Sequence, residues 1–453
     1  MAYSRFARLT NRVVVPGVLA ITVVGTALWG LTAGTTAGGQ PSVDPTRYAT
    51  PAPTPVPVDP QPAFAVAAGA LPDAAALAAG LAALPRAGAG RTGWAVIDPA
   101  SGQVLAQGDG DQALTPASNW KLLTSLAVLD RYGFEHRFAT RVVQSGGRLT
   151  LVGGGDPYLA DASAGDYPQG AALATLADAT AAALPPGGAV ELGWDDSLFA
   201  GPGWNSAWEE GDELWVTPTS ALWVDRGISG GVHSATPAAD AAARFAELLV
   251  ERGLQVAQVG AGTAPDEAVT VAQVWSPTLG VIVQECLRTS DNDVAEVLFR
   301  HLGTADGGDG SITAAQAGLV DGLRRLGLWD QGMVAVDGSG LSYADQATAA
   351  VIARAVARSL ADPAYRDLAV GLPVAGGYGT LSLAWRYDDP EEDIARGTVR
   401  AKTGTLTGVN SLGGFVRTTS GAVVAFGFIC NDIADDTAAR DWLDHATALV
   451  AAS

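Results

Sequence analysis

The sequence predicts an α/β (α+β) chain in which helices near both ends of the folded part flank antiparallel hairpins. Three stretches carry that expectation. Residues 71–84 and 437–452 have helical apolar spacing, and residues 93–107 read as a hairpin turning on Pro99, Ala100, Ser101 and Gly102. A second hairpin, 412–417 with 422–430, turns on Thr418, Thr419, Ser420 and Gly421. With 453 residues, the chain has room for two domains, or for one large domain carrying an insertion.

The chain is 48% hydrophobic and 16% charged, the balance of a globular protein, and its formal net charge is -20. That charge argues against nucleic acid as a partner, because phosphate binding needs clustered basic residues. At the N-terminus, Arg5, Arg8 and Arg12 precede an uncharged stretch, 13–42, whose most apolar part, 13–31, is 19 residues long. That length spans a bilayer, and a basic flank before it is the pattern of an export signal. Residues 1–12 are therefore expected to be cytoplasmic and 13–33 to be a transmembrane signal anchor or signal peptide. Residues 34–65, which hold Pro41, Pro45, Pro51, Pro53, Pro55, Pro57, Pro60 and Pro62, read as an extended spacer. The remainder is expected outside the cytoplasm, tethered to the cytoplasmic membrane, or secreted if the signal is cleaved.

Cys286 and Cys430 sit in apolar runs and read as buried thiols. His136, His233, His301 and His445 lack metal-ligand spacing, so neither a metal nor another cofactor is expected.

Of the 27 basic residues, 25 are Arg, and Lys occurs only at 121 and 402. Arg stays protonated at any working pH, whereas a buried Lys can lose its proton and act as a base. Lys121 closes Ser118-Asn119-Trp120-Lys121, and Lys402 opens Lys402-Thr403-Gly404-Thr405, with Ser290-Asp291-Asn292 between them. These are S-x-x-K, S-x-N and K-T-G in order, the set of penicillin-recognising serine enzymes. S-x-x-K alone is a weak signal and a bare S-D-N is usually a solvent-exposed turn. All three in order, using the only two lysines, is not coincidence.

Each motif suits acyl transfer. Thr115 and Pro116 read as N-cap and first position of a helix that places Ser118 in its first turn and Lys121 on the same face. Leu122, Leu126 and Leu129 follow at core spacing. A neutral Lys121 would take the Ser118 proton. Ser290 and Asn292 are expected on a short turn between helical segments 279–287 and 294–302. There Ser290 would relay a proton to the leaving amine and Asn292 would hold the substrate amide. Residues 399–405 read as a strand. Gly404 would let a substrate backbone approach, and Thr403 and Thr405 beside Lys402 would hold a terminal carboxylate. The backbone N–H groups of Ser118 and Thr405 are the expected oxyanion donors.

On these motifs the sequence resembles the DacB-like, low-molecular-mass class C penicillin-binding proteins of peptidase family S13. Further runs share the resemblance: Pro116-Ala117-Ser118, Gly153-Gly154-Gly155-Asp156-Pro157, Asp195-Asp196-Ser197, Asp337-Gly338-Ser339-Gly340-Leu341-Ser342 and 400–408. The resemblance covers about 71–452. It implies a β-lactamase/transpeptidase-like three-layer α/β/α domain with an antiparallel sheet, formed by 66–155 and 265–453, and a smaller domain, 156–264, inserted between S-x-x-K and S-x-N. It also implies a serine D-alanyl-D-alanine carboxypeptidase that acts on peptidoglycan pentapeptides through a Ser118 acyl-enzyme and is inhibited covalently by β-lactams. The implied site is Ser118, Lys121, Ser290, Asn292 and Lys402 for catalysis, with Thr403, Gly404 and Thr405 binding substrate. A D,D-endopeptidase on crosslinked stem peptides, or a non-catalytic wall-binding or β-lactam-sensing protein, are the alternatives. A class A β-lactamase is disfavoured because its deacylation needs a dedicated Glu. The sequence departs from the pattern in a shorter insertion and in Tyr343, which follows Ser342 where a basic residue is common.

Overall fold

In a computed structural model of the chain, residue 64 and residues 69–162, 168, 170–383 and 385–453 are described. The expected N-terminal anchor and, apart from Phe64, the proline-rich spacer lie outside the described residues. No helix among the described residues is long and apolar enough to cross a membrane.

In chain order the main elements are α1 (Ala74–Ala83), β1 (Arg91–Ile97), β2 (Val104–Gly108), α2 (Trp120–Tyr132), β3 (Ala139–Ser145), β4 (Arg148–Val152), α3 (Leu173–Ala183) and β5 (Ala189–Asp195). They continue with α4 (Pro237–Glu251), β6 (Gln255–Ala261), β7 (Val269–Trp275), α5 (Leu279–Thr289), α6 (Asn292–Leu302), α7 (Ile312–Arg325) and α8 (Ala349–Ala361). The last are α9 (Arg366–Val370), β8 (Arg400–Leu406), β9 (Val409–Arg417), β10 (Val423–Asn431) and α10 (Asp436–Ala452).

The first sheet has the order β8-β9-β10-β1-β2 and is antiparallel throughout. Its strands β1, β9 and β10 are buried on both faces, so side-chain alternation sorts residues between two cores. From β1 and β10, Trp94, Val96, Val424, Phe426 and Phe428 join Leu77 and Leu81 of α1 and Trp442 and Leu443 of α10. Ala95, Ile97, Ala425 and Ile429 face the other way, into a core with Leu122, Leu126 and Leu129 of α2, Ile282 of α5, Leu298 of α6 and Ile352 of α8. The result is three layers, with the terminal helices on one face and the catalytic-motif helices on the other.

The second sheet, β7-β3-β4-β5-β6, is mixed, with β4, β5 and β6 parallel. Leu149, Leu151, Val190 and Leu192 pack it against α3 and α4 through Leu176, Phe245 and Leu249. It takes in strands from both sides of the 156–264 stretch, since β3 and β4 precede it and β7 follows it.

The layer of α10 is fastened by a buried pair. The Arg386 guanidinium donates to both Asp444 carboxylate oxygens, from Nε at 3.1 and 2.8 Å and from Nη2, and Tyr387 N–H adds a bond at 3.1 Å. The two side chains are 7% and 3% exposed. Asp444→Ala strands the guanidinium without its counter-ion and should lower the free energy of unfolding by about 3–5 kcal/mol. Urea denaturation checks this, and a loss under about 1 kcal/mol would mean that water reaches the cation.

Candidate active site

The segment that carries Ser118 is built by tethering a short turn to the sheet. Asn431 at the end of β10 clamps the Thr115 main chain, accepting its N–H at 2.8 Å and donating to its C=O at 2.9 Å. From β9, Ser411 Oγ donates to Pro116 O at 2.6 Å and accepts from Asn119 Nδ2 at 2.7 Å. Thr115 is therefore not the N-cap that its sequence position predicts. Its Oγ1 donates to Tyr343 O at 3.0 Å, a 3₁₀ turn Ala117–Asn119 intervenes, and α2 starts at Trp120. Ala117, immediately before Ser118, is held at φ +47°, a left-handed conformation that costs a non-glycine residue energy and persists only where the surroundings enforce it.

The close approach expected at Gly404 is made by this turn. A β-carbon on Gly404 would lie 2.2 Å from Ser411 Oγ, 2.7 Å from Pro116 O and 3.1 Å from Ser118 N. Gly404 thus leaves room for the Pro116–Ser118 turn against β8. Gly340, at φ +75°, does the same from the opposite side, where a β-carbon would meet Ala117 O at 2.1 Å.

The three motifs meet at the two lysines. Lys121 Nζ lies 3.0 Å from Ser118 Oγ and donates to Asn292 Oδ1 at 2.7 Å and Ser339 O at 2.8 Å. Lys402 Nζ lies 2.8 Å from Ser290 Oγ and 2.6 Å from Thr403 O. Both side chains are wholly buried. Loss of hydration lowers the Lys121 pKa, with Cys286, Asp337, Glu296 and Asp291 partly offsetting it. Burial takes the Lys402 pKa well below its usual value, and the charge of Lys121 pushes it further down. Among the described residues, neither lysine has an ion-pair partner. Ser118, Ser290, Asn292 and Thr403 are half-buried and Thr405 is exposed, so these groups are reachable from solvent.

Ser290 and Asp291 form the expected turn between α5 and α6, with Ser290 at φ +61°. Asn292 was expected to hold the substrate amide. Here its Oδ1 takes the Lys121 bond and its Nδ2 donates to Trp215 O at 3.0 Å. Thr403 Oγ1 pairs with Thr380 Oγ1 at 2.8 Å, and Thr405 Oγ1 donates to Asn410 Oδ1 at 3.1 Å. Strand β8 is a sheet edge. Ala401 N–H points outward to Pro373 O at 2.9 Å, so by alternation the N–H groups of Thr403 and Thr405 point the same way.

Sequence reasoning missed the support for loop 337–340. Glu296 Oε1, one turn beyond Asn292 on α6, accepts Gly338 and Ser339 N–H at 3.0 and 2.8 Å. Asp337 Oδ1 accepts Ser339 and Gly340 N–H at 3.0 and 2.7 Å, while its Oδ2 accepts Trp208 Nε1 at 3.0 Å and Ser342 N–H at 2.8 Å. The i, i+4 spacing of Asn292 and Glu296 was the available signal. Thr380 had none. Cys286 and Cys430 are free and buried, and burial pushes the Cys286 thiol up to about 12. No group of His, Cys, Asp and Glu that could hold a metal occurs among the described residues.

Comparison with known proteins adds four findings. Residues 73–231 and 228–452 match the D-Ala-D-Ala carboxypeptidase 3 (S13) family. A carboxypeptidase of Mycobacterium tuberculosis is 33% identical over 362 residues, covering 76% of this chain and 77% of that one. A D-alanyl-D-alanine carboxypeptidase of an Actinomadura species is 29% identical over 422 residues, covering 75% and 77%. Among solved structures, penicillin binding protein 4 from Haemophilus influenzae superposes with a TM-score of 0.68 at 18% identity, over 83% of this chain and 99% of that one. That likeness carries the fold: a transpeptidase-like α/β architecture.

Burial, helped by the charge of Asp337, raises the Glu296 pKa above its ordinary 4.5. The folded protein then holds a proton that the unfolded chain releases. This contribution to stability is complete below pH 4.5 and is lost as pH rises through the folded pKa. Glu296→Gln, neutral at every pH, should therefore lose less Tm than the wild type between about pH 6 and about pH 9. Parallel thermal-melt curves would show that Glu296 does not titrate with folding.

Proposed function

The chain belongs to the D-Ala-D-Ala carboxypeptidase 3 (S13) family and is a serine-type D-Ala-D-Ala carboxypeptidase, and on that premise we propose that Ser118 is its nucleophile and Lys121 the base that activates it. The observation that carries this reading is the wholly buried Lys121 amine, 3.0 Å from Ser118 Oγ and surrounded by neutral oxygens. Burial without a counter-ion favours the neutral amine, the form that can accept a proton.

Ser118 Oγ attacks the carbonyl carbon of the penultimate D-Ala while its proton passes to Lys121 Nζ. The peptide C–N bond then breaks. The terminal D-Ala leaves with the proton that Lys121 took up, relayed along Ser290 Oγ, which touches Lys402 Nζ at 2.8 Å, and Lys121 is neutral again. Water hydrolyses the ester, with Lys121 accepting its proton and returning it to Ser118 Oγ as the ester C–O bond breaks. The oxyanion donors are the N–H groups of Ser118 and Thr405. The outward aim of alternate N–H groups on β8 and the closeness of the Ser118 turn to Gly404 support them. Thr403, Thr405 and Thr380 hold the terminal carboxylate.

The substrate is the peptidoglycan pentapeptide, and β-lactams acylate Ser118, in keeping with a Haemophilus influenzae relative solved in complex with a β-lactam. Crosslink cleavage is the lesser reading, since the named relatives are carboxypeptidases. The protein acts outside the cytoplasm. Arg5, Arg8 and Arg12 before the apolar 13–31 stretch support a membrane tether, and the second sheet with its helices supports an inserted unit that frames the site.

A fluorescent penicillin should add covalently to the wild type and not to Ser118→Ala, as read by intact mass and denaturing gel. Lys121→Met should slow acylation by about 100-fold or more. The acylation rate should rise with pH, because the neutral amine is the active form, with a midpoint below the free-lysine value of 10.5. An unlabelled but folded wild type would sink the acyl-enzyme mechanism.

A further inference from the structure

The turn carrying Ser290 and Asn292 is gripped, residue after residue, by one segment of the stretch between the two motif serines. The Arg226 guanidinium, through Nη1, pairs with the Asp291 carboxylate. Asn292 Nδ2 donates to Trp215 O at 3.0 Å, and Asp293 Oδ1 accepts Thr217 N–H at 2.7 Å. Thus three consecutive residues meet residues 215–226 at three separate points.

The central contact is the most constrained. The Asp291 side chain is 5% exposed. Its Oδ1 accepts Val294 N–H at 3.1 Å and so caps α6, while its Oδ2 faces the guanidinium. On either side of this pair the backbone is left-handed at non-glycine residues: Ser290 at φ +61°, and Asp225 and Arg226 at +49° and +59°. Such conformations persist when neighbouring contacts over-determine them, and they concentrate where a side chain must be aimed. Asp291 separates the two residues that touch the lysines, with Ser290 Oγ on Lys402 Nζ at 2.8 Å and Asn292 Oδ1 on Lys121 Nζ at 2.7 Å. A rotation of the turn therefore breaks both contacts together.

We propose that Arg226 is a positioning residue for acyl transfer: through Asp291 it fixes the Ser290–Asn292 turn against both lysines, so that the inserted segment completes the active site without touching substrate. The inference rests on the acyl-enzyme reading above. A mere strut between segments would not need a cation at that place, since the three-point grip already includes two main-chain bonds from Trp215 and Thr217. The ion pair differs from them in acting on the side chain that caps α6 and stands between Ser290 and Asn292. A cavity of about 360 Å³, lined by Tyr158, Leu159, Arg226, Glu285, Thr289 and Asp291, adjoins the pair. A small cation can enter from there.

The test compares Arg226→Ala, Arg226→Lys and Asp291→Asn with the wild type. It measures D-Ala release from a D-Ala-D-Ala-terminated peptide and the second-order rate of penicillin acylation. Arg226→Ala should lower kcat and the acylation rate by about 10- to 100-fold, with KM changed by less than about threefold. Guanidinium chloride at millimolar concentration should restore part of the acylation rate in Arg226→Ala and none in Asp291→Asn, and Arg226→Lys should retain more activity than Arg226→Ala. Rates within about twofold of wild type for folded Arg226→Ala, or a rise in KM at unchanged kcat, would overturn the proposal. If Arg226→Ala fails to fold, Arg226→Lys and Asp291→Asn decide: wild-type acylation in both refutes positioning. Absence of acylation in the wild type would instead refute the nucleophile assignment, so the two failures are distinguishable.

Discussion

The amine of Lys121 is the point on which the catalytic half of the molecule closes. Its three oxygen partners come from the nucleophile turn, the start of α6 and loop 337–340, segments far apart in sequence. An ammonium placed there would lose its hydration without gaining a direct counter-ion, and burial lowers its pKa accordingly. Packing and chemistry are therefore one constraint. The cores that bring α2, α5, α6 and α8 together also weaken the amine's hold on a proton, and any opening of that contact would rehydrate it.

The carboxylates around the site are kept from neutralising the lysines by being occupied elsewhere. Glu296 and Asp337 spend their oxygens on main-chain N–H groups of loop 337–342, and Asp291 is split between the α6 cap and Arg226. Each carboxylate shapes backbone instead of pairing with an amine. The stretch between the two motif serines joins in twice, through Trp208 on Asp337 and through residues 215–226 on the turn of α6. Among the described residues the acids hold the loops around the two lysines, and none of them pairs with either amine.

How much of this was legible in the sequence follows from what each residue depends on. The terminal helices and both hairpins are local, set by apolar period and turn residues, and they appear close to where periodicity puts them, as in β9 and β10 around Thr418 to Gly421. The motif residues were legible because a chain nearly devoid of lysine places Lys121 and Lys402 in distinctive surroundings. The start of α2 was misread: Thr115 and Pro116 have the right local chemistry for a cap, but Asn431 and Ser411, some 300 positions away, hold them to the sheet. At Gly404 the close approach that a missing side chain signals is made, among the described residues, by the chain's own turn. Arg226 and Thr380 left no trace, because an ion pair 65 residues apart and a hydroxyl contact between separate segments follow no periodicity.

The scarcity of lysine has one further consequence. Both side-chain amines of the protein are sealed in the catalytic centre, and every other basic side chain outside the histidines is a guanidinium. The exterior offers aldehydes and activated esters no lysine to react with. Apart from an α-amine, amine-directed reagents find no target on the folded surface, and any lysine modification that does occur reports that the packing around Lys121 or Lys402 has opened.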